Sequence, residues 1–144
     1  MSEARTRLAR VGIDDLRGYL EGGIEAWTKA GFALAELPLV DVHKLGARLQ
    51  AAQFRVLDVR RRPEWEAGHI EGAVWHPLDD FKAGLPELDR GAPIAVHCKG
   101  GYRSLIACSL LQRAGFQNVA NVSGGFVAWE KAGLPVVAES PVGV

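Results

Sequence analysis

Pro93-Ile94-Ala95-Val96-His97-Cys98-Lys99-Gly100-Gly101-Tyr102-Arg103-Ser104 is the stretch from which the rest of the chain can be read. Pro93 to His97 is an apolar run of strand length, predicted to be a buried strand. Ser104 to Arg113 has the composition of a helix, stopped by Gly115. Between them, two glycines let the backbone curl so that its N–H groups converge on one point. The following helix aims its positive end at the same place, and Lys99 and Arg103 add cationic side chains. Such surroundings favour a thiolate over a thiol, which makes Cys98 the candidate nucleophile and carrier of a bound sulfur.

Working outward, Phe54 to Val59, Ala73 to Trp75 and Val119 to Val122 read as further strands. Asp41 is placed to cap a helix from Val42 to Leu49. Pro63 opens another through Ala67, and Gly125 to Lys131 forms a third. Gly68-His69-Ile70-Glu71-Gly72 reads as a turn. Strands alternating with helices imply an α/β fold with a mostly parallel sheet and helices on both faces. In such sheets ligands sit beyond the carboxyl ends of the strands, which is where Cys98 falls.

The bulk properties narrow the function. The chain has 144 residues, 48% of them apolar and 24% charged, with zero formal net charge. Neither nucleic acid nor an anionic membrane is expected as a partner. No apolar run is long enough to span a bilayer, and Met1 to Arg7 is not a signal core. Two cysteines fit a reducing compartment, so a cytoplasmic location is expected. With no Cys-x-x-Cys and no metal-type spacing among the four histidines, neither metal nor cofactor is expected. Cys108, among Leu105, Ile106, Ala107 and Leu110, reads as core, with a resolving thiol as the alternative. His97 reads as structural, its side chain directed away from Cys98 by strand alternation. His69 reads as a turn-stabilising hydrogen-bonder, and Trp27, Trp65, Trp75 and Trp129 as packing residues.

An internal echo sets the domain organisation. Leu8-Ala9-Arg10-Val11-Gly12-Ile13 and Glu21-Gly22-Gly23-Ile24-Glu25-Ala26-Trp27-Thr28-Lys29-Ala30-Gly31-Phe32 return later in the chain. Their counterparts are Leu111-Gln112-Arg113-Ala114-Gly115-Phe116 and Ser123-Gly124-Gly125-Phe126-Val127-Ala128-Trp129-Glu130-Lys131-Ala132-Gly133-Leu134, with a one-residue slip between the parts. Residues 1–35 therefore read as the tail of a truncated upstream repeat, with an ordinary helical extension as the alternative. A complete domain follows over 36–137, then a C-terminal tail over 138–144. Leu20, Ile24, Trp27 and Phe32 would have lost their partners. They are expected to dock on this domain or on a neighbouring copy, for which a homodimer is one arrangement.

Several of these segments together resemble the rhodanese homology domain. They are Leu57-Asp58-Val59-Arg60 with Glu64-Trp65 and Gly68-His69-Ile70-Glu71-Gly72-Ala73, the loop Cys98 to Ser104, and Gly124-Gly125-Phe126 with Trp129. The resemblance covers roughly residues 37 to 136. It implies a three-layer α/β/α fold with a five-stranded mostly parallel sheet, and transfer of sulfane sulfur through a Cys98 persulfide. The donor would be thiosulfate or a persulfide such as glutathione persulfide; 3-mercaptopyruvate is less favoured. The acceptor would be a thiol or cyanide. Lys99, Gly100, Gly101, Tyr102, Arg103 and Ser104 match the loop that would hold the donor, with Arg103 the main side-chain anchor of loop or donor. Asp58 and Arg60 match positions that would brace the site, the alternative being surface ion partners. Tandem units of this kind resemble the C-terminal part of fusions to a persulfide dioxygenase, which would place a metallo-β-lactamase-fold domain upstream in the full-length protein.

Two rival functions follow from the same residues. Cysteine phosphatases share the His-Cys loop and its Arg, but carry five intervening residues; here there are four, Lys99 to Tyr102. Many rhodanese-like domains have lost the cysteine and serve as binding or regulatory modules; here Cys98 and Arg103 are both present, which favours an enzyme.

Overall fold

The computed structural model describes residues 2–10 and 14–138. Val11, Gly12 and Ile13 of the echo and residues 139–144 of the expected tail lie outside the described residues. The chain divides into two compact units, Met1–Glu36 and Leu37–Val144.

The second unit holds a five-stranded sheet in which every pairing is parallel, in the order β1-β5-β4-β2-β3. Its strands are β1 (Leu39–Val40), β2 (Arg55–Asp58), β3 (Val74–Trp75), β4 (Ile94–His97) and β5 (Val119–Val122). The sheet is thus wholly rather than mostly parallel. β1 is the strand that residue patterning alone does not announce, because two residues carry no period. It exists through pairing, Leu39 opposite Asn121 and Val40 opposite Val122.

β4 is central and buried along its whole length, His97 included. Alternation sends Val56, Ala95, Ala120 and Val122 to one face. There they meet Val42 and Leu45 of the helix Val42–Gln50 and Phe126 and Trp129 of the helix Gly125–Lys131. The helix Tyr102–Arg113 packs on β4 and β5, contributing buried Ala107, Cys108 and Leu111. Each large apolar side chain taken from water adds about 1.5–3 kcal/mol. Asp41 caps its helix as expected, its Oδ1 accepting from His43 N–H at 2.9 Å and Lys44 N–H at 3.4 Å; such a cap contributes about 1 kcal/mol.

These helices are α3 (Val42–Gln50), α5 (Tyr102–Arg113) and α6 (Gly125–Lys131), with α4 (Arg62–Ala67) and a 3-10 turn (Leu78–Lys82) between β2 and β4. After α4 the chain turns, Ala73 N–H donating to Ile70 O at 3.1 Å, and His69 forms an isolated antiparallel bridge with Val137.

The first unit holds α1 (Ser2–Ala9) and α2 (Gly23–Lys29), and α2 has no buried residue. Leu20, Ile24, Trp27 and Phe32 are all exposed. Trp27 departs from its expected packing role: its ring meets Phe32, centroids 4.6 Å apart, and it stays 41% exposed. The segment is too short to enclose an indole. No helix among the described residues is long and apolar enough to cross a membrane.

Candidate active site

Cys98 stands at the carboxyl end of β4, and its side chain is almost wholly covered at 1% exposure. Two donors reach its sulfur: Gly101 N–H at 3.1 Å and the Ser104 hydroxyl at 3.4 Å. The helix starts at Tyr102, two residues earlier than the sequence pattern predicts. Gly101 takes φ +101°, a left-handed conformation that turns the loop into the first helical turn at once. Lys99, Gly100 and Tyr102 form the exposed rim of the loop.

The loop is held from behind by α6. Phe126 N–H donates to Cys98 O at 2.8 Å, and Val127 N–H donates to Lys99 O at 3.1 Å. With these carbonyls turned to α6, the Gly101 N–H faces the sulfur. Gly125 makes the approach feasible: at φ +58°, a Cβ there would sit closer than 3.0 Å to both Cys98 O and Lys99 O. The closing Gly-Gly-Phe segment, marked in the sequence by the echo and by the resemblance, thus touches the nucleophile's own backbone.

Asp58 and Arg60, at the end of β2, are buried together, which excludes the surface ion-pair reading. Arg60 Nε donates to both carboxylate oxygens at 3.0 and 2.9 Å, and Nη2 donates to Oδ2 at 2.6 Å and to Gly68 O at 2.8 Å. The guanidinium lies 3.9 Å from the Phe126 ring centroid, a cation–π contact. Their connection to Cys98 therefore runs through Phe126 and not through a bond to the sulfur.

His97 is fully buried and stacks on Phe126 with centroids 5.9 Å apart. Its Nε2 lies 3.5 Å from Asp58 Oδ2 without hydrogen-bond geometry. Burial lowers its pKa, against the opposing pull of Asp58, so the ring is neutral. His69 Nδ1 lies 3.0 Å from Trp65 O and its ring stacks on Trp65, a turn-stabilising position.

Arg103 does not reach the sulfur. It forms a bidentate pair with Glu64 of α4, Nη1 to Oε2 at 2.7 Å and Nη2 to Oε1 at 2.8 Å. In this state it anchors the loop's helix and not a donor. Glu64 was visible in the sequence only as part of a signature, and its partner is remote in the chain. The same carboxylate accepts from Arg61 N–H, closing the start of α4. Arg103 holds Glu64 below the ordinary carboxylate range, while Glu64 holds Arg103 above its usual value. The carboxylate's contribution to stability is therefore complete above its ordinary value of 4.5. It declines as pH falls below that value and is gone once pH passes under the lowered folded pKa. Urea midpoints from about pH 6 to about pH 3 are expected to fall more steeply for the wild type than for Glu64→Gln. Parallel curves would remove the latch role.

Cys108 is buried on α5, and desolvation pushes its thiol up to about 12. Iodoacetamide is expected to leave Cys108 unmodified in the folded protein and to label it only after unfolding, read by peptide mass spectrometry. Labelling of Cys108 in the folded state would show that the helix opens. Beside the loop, Arg60, Glu64, Lys99, Phe126 and Glu130 line a cleft of about 220 Å³. Among the described residues no group of His, Cys, Asp or Glu is arranged to hold a metal ion. The buried amide of Asn121 on β5 was not signalled by any sequence pattern.

A parallel sheet ending in a glycine-rich cysteine loop, locked by the last helix, defines a class. The rhodanese-like domain family matches residues 41–132, and the chain belongs to that family. Its relatives within that family include sulfurtransferases. A sulfurtransferase of Allochromatium vinosum is 32% identical over 100 residues, covering 69% of this chain and 94% of that one. An HTH-type transcriptional regulator of Mycobacterium tuberculosis is 35% identical over 98 residues, 67% of this chain but 43% of the regulator. A rhodanese-related protein of Thermoplasma volcanium superposes with a TM-score of 0.66 at 30% identity, covering 71% of this chain and 99% of the other.

Proposed function

We propose that this protein moves sulfane sulfur from thiosulfate or a persulfide to a thiophilic acceptor, with Cys98 as the carrier. The observation that carries the reading is the covered Cys98 sulfur with Gly101 N–H and the Ser104 hydroxyl directed at it. Donors in place at an anionic sulfur need no rearrangement when charge develops there. In the first step the Cys98 thiolate attacks the outer sulfur of thiosulfate. An S–S bond forms, the bond to the sulfonate sulfur breaks, and sulfite leaves with the electron pair. In the second step a thiolate or cyanide attacks the outer sulfur of the Cys98 persulfide and the Cys98 thiolate departs. With a persulfide donor, the leaving group of the first step is the donor's thiolate. The close cover over the sulfur suits a terminal sulfur atom better than a phosphoryl group. Arg103, bound to Glu64, is not turned over the nucleophile as phosphoryl transfer would need.

Intact mass spectrometry after incubation with thiosulfate, and separately with glutathione persulfide, tests the reading. One sulfur, roughly 32 Da, should be gained, removed by cyanide, and absent in Cys98→Ser. The donor that loads faster identifies the preferred substrate. A folded, reduced protein that gains nothing from either donor would move a binding or regulatory module to first place.

A further inference from the structure

The imidazole of His97 lies between two acceptors. β2 and β4 pair with Asp58 opposite His97, which sets the carboxylate beside one ring nitrogen. The other nitrogen lies beside the carbonyl of the nucleophile's own residue. Nδ1 is 3.4 Å from Cys98 O, in hydrogen-bond geometry. Nε2 is 3.5 Å from Asp58 Oδ2 and makes no hydrogen bond. Burial keeps the ring neutral, so it carries a single proton. Asp58 has no need of that proton, because both of its oxygens already accept from Arg60. Nδ1 is therefore the place for it, with Cys98 O as the acceptor.

The proton's place matters for the loop. Cys98 O accepts from Phe126 N–H at 2.8 Å and, at the longer distance, from His97 Nδ1–H, which uses both of its lone pairs. A trans peptide is planar, so its N–H points opposite to its C=O. Donors from two directions fix the plane of the Cys98–Lys99 peptide and turn the Lys99 N–H away from α6. The Phe126 bond alone leaves that plane free to rock about the N–H···O line. The ring is itself held firmly, stacked on Phe126 and wholly buried. Strand alternation puts it on the face of β4 opposite the sulfur, so it acts on the reacting residue only through the backbone.

We infer that His97 is a positioning residue: its Nδ1–H holds Cys98 O and so sets the direction in which the loop's N–H groups face the sulfur, a role that rests on sulfur transfer at Cys98 as proposed above. Side-chain amides separate the two ring nitrogens. Asn places an N–H near the position of Nδ1, Gln places one near Nε2, and Phe keeps a ring of similar size with no donor.

The test measures loading by thiosulfate and by glutathione persulfide in the three variants, beside their urea midpoints. At saturating donor, His97→Phe and His97→Gln are expected to load at least about tenfold more slowly than the wild type, with the half-saturating donor concentration unchanged. His97→Asn is expected to come back to within about threefold of the wild type. Stability should run the other way, with His97→Asn the least stable because it empties space beside Phe126. A loading rate that follows stability, with His97→Asn slowest, overturns the role, and so does wild-type loading by a folded His97→Phe. Imidazole nitrogen NMR of the wild type at about pH 7 should show the His97 proton on Nδ1. A proton on Nε2 overturns the role without any variant. A wild type that takes sulfur from neither donor is a failure of the transfer reading and not of the hydrogen bond, which the NMR reads with no donor present.

Discussion

A Gly125→Ala protein is expected to load sulfur at least about a hundredfold more slowly than the wild type, the order of loss that a shift of about 1 Å in a reacting group produces. It is also expected to lose about 3–5 kcal/mol of stability, from strain at a left-handed residue and two weakened hydrogen bonds. The added Cβ would fall on Cys98 O and Lys99 O, and both are backbone atoms that cannot rotate away. Either α6 retreats and the Phe126 and Val127 bonds to the loop break, or the loop moves and carries the Gly101 N–H off the sulfur. Gly124→Ala is the control. It is strained too, at φ +70°, but its Cβ would meet Ala128 and not the loop. It should lower the urea midpoint while leaving the loading rate close to normal. Wild-type loading by a folded Gly125→Ala protein would show that α6 does not set the loop.

Asp58→Ala should be the most damaging change away from the loop, at about 3–5 kcal/mol by urea or thermal unfolding. The carboxylate receives three side-chain hydrogen bonds from Arg60 and one from the Arg60 backbone N–H, all buried. Without it the guanidinium loses its paired charge and keeps Gly68 O and the face of Phe126. An apolar pair of similar size, Asp58→Leu with Arg60→Met, should recover most of the loss, because no charge is then stranded. If the double variant is no better than Asp58→Ala, the pair's value lies in shape and not in charge compensation.

What the residues disclosed, and what they withheld, follows from the range of each interaction. β2, β4 and β5 are short segments dominated by apolar, mostly β-branched residues, so they can be read locally as buried strands. The Cys98 loop is legible for the same reason, as glycines, cations and a helix start lie within a few residues. α5 starts at Tyr102 and not at Ser104 because Gly101 takes the left-handed turn, and no residue pattern distinguishes Gly100 from Gly101 for that role. Glu64 and Arg103 belong to different helices brought together by the sheet, and no local period links them. Asp58 and Arg60 are neighbours whose burial depends on Phe126 and Gly68 arriving from elsewhere. The resemblance marked the Gly124-Gly125-Phe126 segment without a reason; the reason is the contact with Cys98 O and Lys99 O.

Cys98 is made well before the helix that shapes its loop, and that order matters while the chain is being synthesised. A nascent polypeptide that has emerged from the ribosome only as far as β5 would carry the cysteine but neither Phe126 nor Val127 to hold the loop carbonyls. Its thiol should then behave like that of an ordinary flexible peptide, open to oxidation and unable to retain a transferred sulfur. Emergence of Gly125–Lys131 is the step expected to complete the loop around the cysteine. Stalled chains released before and after that helix should therefore differ sharply in sulfur uptake, although both contain every residue of the loop.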